Sequence, residues 1–391
     1  MPTNQQMAWR RSLPAALLLL APFNILASLA MDIYLPIVPA MPGILGTTPA
    51  VVQLSLTLYM IVLGVGQLVF GPLSDRFGRR PVLLCGALLF AAASLLMAWP
   101  MSATGFLGLR LLQAIGASAA MVAVFATVRD VYAGSPESAA VYGLLNGMLA
   151  FVPALGPVAG ALIVVAFGWR GVFATLGVLA LAAMLWIQPR WGETRPAAPA
   201  AGRHYARMLR STAFQVYTLG FSAAMGAFFV YFSTAPRILI ERAGYSELQF
   251  SLAFASAAAV MIVVARLAGT FAARWGVSGC LLRGMLTMLA GSALLVAGQL
   301  FFAPSFWSFV MPMWVVAVGI VLTASVTADG ALDGFGETAG SAVALYYCVQ
   351  SLCVGIVGTL CVVTLDGDTA WPLVAYTTVM SVATLAARTR L

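Results

Sequence analysis

Hydrophobic and polar positions alternate in long blocks along the 391 residues. Apolar runs of about 20 residues lie near 13–39, 51–70, 81–99, 104–128, 139–166 and 170–188, then near 213–235, 247–271, 279–302, 306–328, 339–364 and 370–387. Each is long enough to cross ~30 Å of hydrocarbon as a helix. The pattern predicts an all-α membrane protein with twelve transmembrane helices. The polar stretch between the sixth and seventh runs is rich in arginine, alanine and proline. It divides the chain into a six-helix bundle over 1–188, a linker over 189–212 and a second six-helix bundle over 213–391.

The two halves repeat, which makes the bundles pseudo-symmetric. Gly71-x4-Arg76-Phe77-Gly78 returns 198 residues later as Gly269-x4-Arg274-Trp275-Gly276. Gln53-Leu54-Ser55 returns as Gln249-Phe250-Ser251, and Asp130 has a counterpart in Asp329. Duplicated halves around a midplane site are the architecture of alternating access. The copies are chemically unequal, because Ala273 stands where the first half has Asp75.

Charge orients the chain. Arg76, Arg79 and Arg80 crowd the stretch 71–83 beside a single Asp75, which reads as a tight polar turn on the cytoplasmic surface. Arg10, Arg11, Arg388 and Arg390 place both termini on that side, and the linker adds Arg190, Arg195, Arg203, Arg207 and Arg210. The first run extends beyond a signal-peptide core and lacks a small-residue cleavage pattern, so a retained span is expected.

Composition narrows the function classes. Hydrophobic residues make up 62% and charged residues 8%, against roughly 25% charged in a soluble domain. All twenty basic side chains are arginine, and the +8 balance is accounted for by orientation, so no nucleic-acid partner is implied. The five cysteines lie in apolar runs without metal-ligand spacing, and the one histidine, His204, lies in the linker. Neither a metal site nor a catalytic triad is expected, and no cofactor beyond a proton gradient.

Two charges stand deep in the spans. Asp32 lies in the first and Arg110 in the fourth, and an ionisable group there is expected to face the cavity between the halves and to serve a pathway. A carboxyl group in a low dielectric favours its neutral form, so Asp32 is the candidate proton carrier. Arg110 keeps its charge and can only bind, orient or repel. Gln113 lies one turn further along the same face. Asn24 precedes Asp32 by two turns and is either an interhelical hydrogen bond or a ligand contact. In the fifth span Pro153, Gly156, Pro157 and Gly160 predict a bent helix that packs closely. Aromatic side chains in spans seven and eleven, Phe228, Tyr231 and Tyr346 among them, are candidates to stack on a substrate ring.

Gly71-x-Leu-x-Asp75-Arg76-x-Gly78-Arg79-Arg80 resembles the loop between the second and third spans of major facilitator superfamily transporters. Arg110-Leu-Leu-Gln113-Ala-Ile-Gly116-Ala, with the glycine–proline run of span five, resembles signatures of the drug/proton antiporters of that superfamily, departing from them at Ala114 and Ala161. Asp32-Ile-Tyr34-Leu-Pro36 with its outer turn, Phe125-Ala-Thr-Val-Arg129-Asp130 and Gly367-Asp-Thr-Ala-Trp371-Pro are similar to the chloramphenicol/florfenicol exporters, and this likeness covers nearly the whole chain. It implies proton-coupled efflux of phenicol antibiotics across the bacterial inner membrane by a monomeric carrier whose partners are a small-molecule drug, protons and the lipid bilayer. It also implies a cytoplasmic latch of Gly71, Asp75, Arg76, Gly78, Arg79, Arg129 and Asp130. In that latch Asp75 would meet the start of span eleven near Thr338, and Arg79 would pair with Asp130. The exporters carry aspartate where this chain has Asn24. Coupling therefore rests on Asp32 alone, or position 24 has been changed.

Alternatives are a broader multidrug/proton antiporter and a small-metabolite symporter, which usually shows more polar cavity side chains. A membrane enzyme would need a nucleophile–base pair or metal ligands, which Asp32 and Arg110 do not supply. A non-transporting sensor would be separated by measuring drug flux in vesicles.

Overall fold

In hydrocarbon a backbone must satisfy its own polar groups, so apolar runs of this length form helices. The computed structural model describes residues 13–99, 102–132, 137–195, 205–335 and 339–391, and no strand occurs among them. The first half supplies α1 (Leu13–Asp32), α2 (Pro49–Phe77), α3 (Arg79–Met97) and α4 (Ala103–Tyr132). It ends in Glu137–Ile187, a rod that turns at Gly168 into α5 (137–167) and α6 (169–187). The second half supplies α7 (Thr212–Pro236) and then Glu247–Phe301, which turns at Gly276 into α8 (247–275) and α9 (277–301). It closes with α10 (Met311–Leu332), α11 (Ala339–Cys353), which continues through a wider turn to Thr364, and α12 (Trp371–Arg388). Nine helices among the described residues are long and apolar enough to cross a membrane. Dividing the two double rods at their glycines and adding α12 gives the twelve spans of the sequence pattern. Arg10, Arg11, Arg203, His204 and Thr338 lie outside the described residues.

The structure moves several expected boundaries. The first span was expected to continue to residue 39, yet regular helix stops at Asp32 and a short turn, Leu35–Ile37, follows. Pro36 and Pro39 account for this, since proline lacks an N–H and disfavours helix in the residue before it. The polar turn expected over 71–83 is almost entirely helical, and the chain reverses at Gly78 alone, with φ 107°. Its copy Gly276 also has positive φ, at 67°. Both positions use the left-handed region that glycine enters without penalty.

Packing divides the chain into two units, Met1–Tyr34 with Leu58–Ala201 and Leu35–Thr57 with Gly202–Leu391. Within the first, α3 and α4 meet through facing glycines. A Cβ on Gly86 would come 2.8 Å from the Gly116 carbonyl oxygen, and one on Gly116 would come 2.5 Å from that of Gly86. The second unit repeats the device between α9 and α10, where a Cβ on Gly284 would come 3.0 Å from the Gly319 carbonyl oxygen and one on Gly319 would come 2.6 Å from that of Gly284. In lipid, where apolar contact gives helices no preference for each other over the tails, such close backbone approach supplies the association. Also within the second unit, Gln53 donates to the Ser233 hydroxyl at 3.0 Å, and the hydroxyls of Thr57 and Thr359 lie 2.5 Å apart.

Gly116→Leu should therefore cost about 1–3 kcal/mol through overpacking and lower the melting temperature in detergent. Gly108→Leu on the same helix, where a Cβ meets nothing within 4 Å, should melt like wild type. Thermal melts of the two variants check this.

Candidate functional site

The last four carbonyls of a helix have no partner in the helix itself, and in α1 that of Ala30 obtains one from α4, while Ala27, one turn earlier, receives a donor from α2. Tyr59 donates its hydroxyl to the Ala27 carbonyl at 2.7 Å, and Arg110 donates Nη1 to the Ala30 carbonyl at 3.1 Å. The same Nη1 donates to Gln113 Oε1 at 2.7 Å. The guanidinium carbon lies 5.0 Å from the ring centroid of Tyr34 and 4.7 Å from that of Tyr59. Gln113 passes the network on, donating Nε2 to Ser94 Oγ at 2.8 Å, and Ser94 donates to the Phe90 carbonyl. Arg110 is 0% exposed, and its Nε and Nη2 have no hydrogen-bond partner among the described residues. Its charge is met by the negative end of a helix and by two aromatic faces. No ion pair joins Arg110 to Asp32.

Asp32 is the final residue of α1 and is buried, at 4% exposure. Ser28 donates its hydroxyl to Oδ2 at 3.4 Å, and Oδ1 has no partner among the described residues. The antiporter-like run of α5 lies directly against this end. A Cβ on Gly156 would come 2.7 Å from Asp32 Cβ, and one on Gly160 would collide with the Ile33 carbonyl oxygen. Pro153 and Pro157 stand in the same stretch of α5. Asn24 donates Nδ2 to the Leu145 carbonyl at 3.2 Å, which ties α1 to α5, while its Oδ1 has no partner among the described residues.

A second cluster surrounds Gly78. Arg79, at 1% exposure, pairs with Asp130 at 2.7 Å and Asp75 at 2.6 Å, and it donates to Ser74 Oγ. Ser74 donates in turn to the Gly71 carbonyl. Arg129 lies 3.8 Å from Asp75 and 3.5 Å from Asp130, and the Arg76 guanidinium lies over the Phe77 ring at 5.3 Å. Both acids are thus engaged inside the first unit, and Thr338 lies outside the described residues. Sequence reasoning missed Glu193. Its carboxylate accepts from the backbone N–H groups of Arg79 and Arg80 at 2.8 and 3.2 Å, capping α3, and a Cβ on Gly78 would collide with it. The available signal was its isolation, as the only acidic residue between 138 and 240 amid the linker arginines.

In the second unit the candidate aromatic side chains are packed on other aromatic rings. Tyr231 stacks on Phe254 at 5.1 Å, and Phe228 tilts against the same ring at 5.9 Å. Tyr346 stacks on Phe221 at 4.8 Å and donates its hydroxyl to Thr327. Tyr231 and Tyr346 are both fully buried.

The family model of the Major Facilitator Superfamily matches residues 20–359. The chain is similar to a chloramphenicol resistance protein of Pseudomonas aeruginosa, 47% identical over 96% of this chain and 90% of that protein. It is also similar to multidrug resistance protein MdtL of Shigella dysenteriae, 31% identical over 64% of this chain and 63% of that protein. In fold alone it is similar to a solved D-xylose–proton symporter, with a TM-score of 0.73 at 16% identity over 95% of this chain and 97% of that one. The match to the family runs through both copies of the internal repeat, and the chain therefore belongs to the Major Facilitator Superfamily.

Proposed function

We propose that this membrane transporter exports phenicol antibiotics, chloramphenicol and florfenicol, across the bacterial inner membrane in exchange for protons. In this reading it works as a monomer by alternating access of the halves 1–188 and 213–391, with both termini cytoplasmic and no cofactor besides the proton gradient. The observation that carries the substrate class is the 47% identity over 96% of the chain to a protein named for chloramphenicol resistance. The likeness to MdtL supports the broader multidrug reading as the second choice.

Proton coupling falls to Asp32. Its carboxyl group is buried and, among the described residues, has one weak donor and forms no ion pair. An isolated charge there costs several kcal/mol, and a proton removes that cost. Phenicols carry no strong charge at neutral pH, so drug binding does not require ionised Asp32, and the two events meet through the end of α1. Arg110 holds that end from one side and α5 closes on it from the other. Gln113 fixes the guanidinium. Phe228, Tyr231 and Tyr346 are retained as candidate substrate contacts, reached when their packing opens. The Asp75–Arg79–Asp130 cluster serves as the latch of the conformational cycle.

Proteoliposomes loaded with labelled chloramphenicol test the whole reading. An imposed proton gradient should drive uphill drug movement, and collapsing the gradient should stop it. Asp32→Asn should abolish gradient-driven accumulation and leave drug binding in detergent; uphill transport by this variant would remove Asp32 from the coupling step.

Arg110→Lys keeps the charge and loses the planar fork that reaches Ala30 and Gln113 together. A roughly tenfold or greater fall in transport rate is expected, and resistance equal to wild type in growth assays would exclude the role.

Asn24→Asp replaces the donor to Leu145 and sets a second carboxyl group ~12 Å from the first along the helix. Higher resistance or a shifted pH optimum of efflux is expected. Identical pH profiles would leave Asn24 as a structural tie.

A further inference from the structure

The glycine turn occurs twice, and the two corners differ in charge. At Gly78 the carboxylates of Asp75, Asp130 and Glu193 sit among the arginines, with Glu193 occupying the space beside the glycine. At Gly276 that space is open, and Ala273 replaces the first acid. Cations gather there all the same. Arg283 lies over the Trp275 ring at 4.7 Å and donates to the Gly279 carbonyl at 3.3 Å. Arg388, from the last turn of α12, donates Nε to Ser278 Oγ at 3.0 Å. Arg274 adjoins Trp275 in the chain, and both Arg274 and Arg283 are exposed. Phe271 and Trp275 stack in parallel at 4.8 Å. None of these arginines forms an ion pair among the described residues, and Asp329, the counterpart of Asp130, is exposed and makes none.

We infer that this corner of the second unit binds the headgroup phosphate of an anionic phospholipid. The chemistry fits on three counts. An indole settles at headgroup level. Guanidinium forks take phosphate oxygens in pairs. Basic clusters at the end of a span draw anionic lipid at about a fivefold gain per arginine. The flanking helices offer a bed for acyl chains, since Leu267 on α8 and Leu286 on α9 are 48% and 50% exposed. In the first-half corner, by contrast, Arg79 and Arg129 pair with Asp75 and Asp130.

Native mass spectrometry of the full chain in detergent, titrated with phosphatidylglycerol or phosphatidylcholine, tests this. Wild type should retain phosphatidylglycerol in preference to phosphatidylcholine. Arg283→Gln with Arg388→Gln should weaken that retention about 30-fold, and Arg170→Gln, a charge loss at the Gly168 turn, should leave it unchanged. Ala273→Asp, which restores the first-half acid without removing an arginine, should weaken it about fivefold and serves if the double variant does not fold. Undiminished retention in both altered corners, equal retention of the two lipids by wild type, or equal loss in the Arg170 variant would overturn the inference. So would displacement of the lipid by equimolar inorganic phosphate, which would make the corner a site for free anions.

Discussion

Arg110 is wholly buried and charged, and among the described residues no carboxylate pairs with it. Much of the first unit can be understood as the means of keeping it there. The guanidinium needs the free carbonyl of Ala30, so α1 must end close to α4. It needs two π faces, so Tyr34 must follow that end and Tyr59 must come across from α2. It needs Gln113 held still, which Ser94 does from α3. Ser94 is within reach only because Gly86 and Gly116 let α3 and α4 approach at backbone distance. The helix end that accommodates the arginine also carries Asp32. The buried cation and the carboxyl group thereby share one helix end.

The spans, their number and the repeat were legible in the sequence, because apolar length and glycine spacing are local properties. So were Asp32 and Arg110, since isolated charges in apolar runs stand out against their background. What surrounds Arg110 was not legible. Tyr34 and Tyr59 look like ordinary aromatic residues in hydrophobic stretches, and only the folded geometry brings them to one guanidinium. Glu193 was hidden for the opposite reason, as one acid in a basic linker reads as a solvated charge until the chain end of α6 returns to Gly78. Tyr231 and Tyr346 were singled out for their rings, which pack on Phe254 and Phe221. Periodicity alone does not say which face of a wholly apolar helix meets its neighbours. The end of α1 was misplaced because apolar character continues past the point where the prolines stop the helix.

The duplicated architecture shows which features each copy must keep. Both halves retain the glycine pair joining their third and fourth spans and the positive-φ glycine between their second and third. These are requirements of backbone geometry. Asp75 has no second-half counterpart, since Ala273 stands there, and Asp329, the counterpart of Asp130, forms no ion pair among the described residues. Backbone shape recurs where helices approach each other, while charge differs between the two corners.

The turns at Gly168 and Gly276 have one more consequence. Each joins two long helices through a single non-helical residue, with no loop between them. Such a joint contains only two soft torsions, so it has no slack. When one arm of the rod tilts, its partner must swing with it or the glycine must absorb the whole angle. Any change of angle between the arms therefore falls on the φ and ψ of that one glycine, which ties the direction of α6 to that of α5 more closely than a loop would.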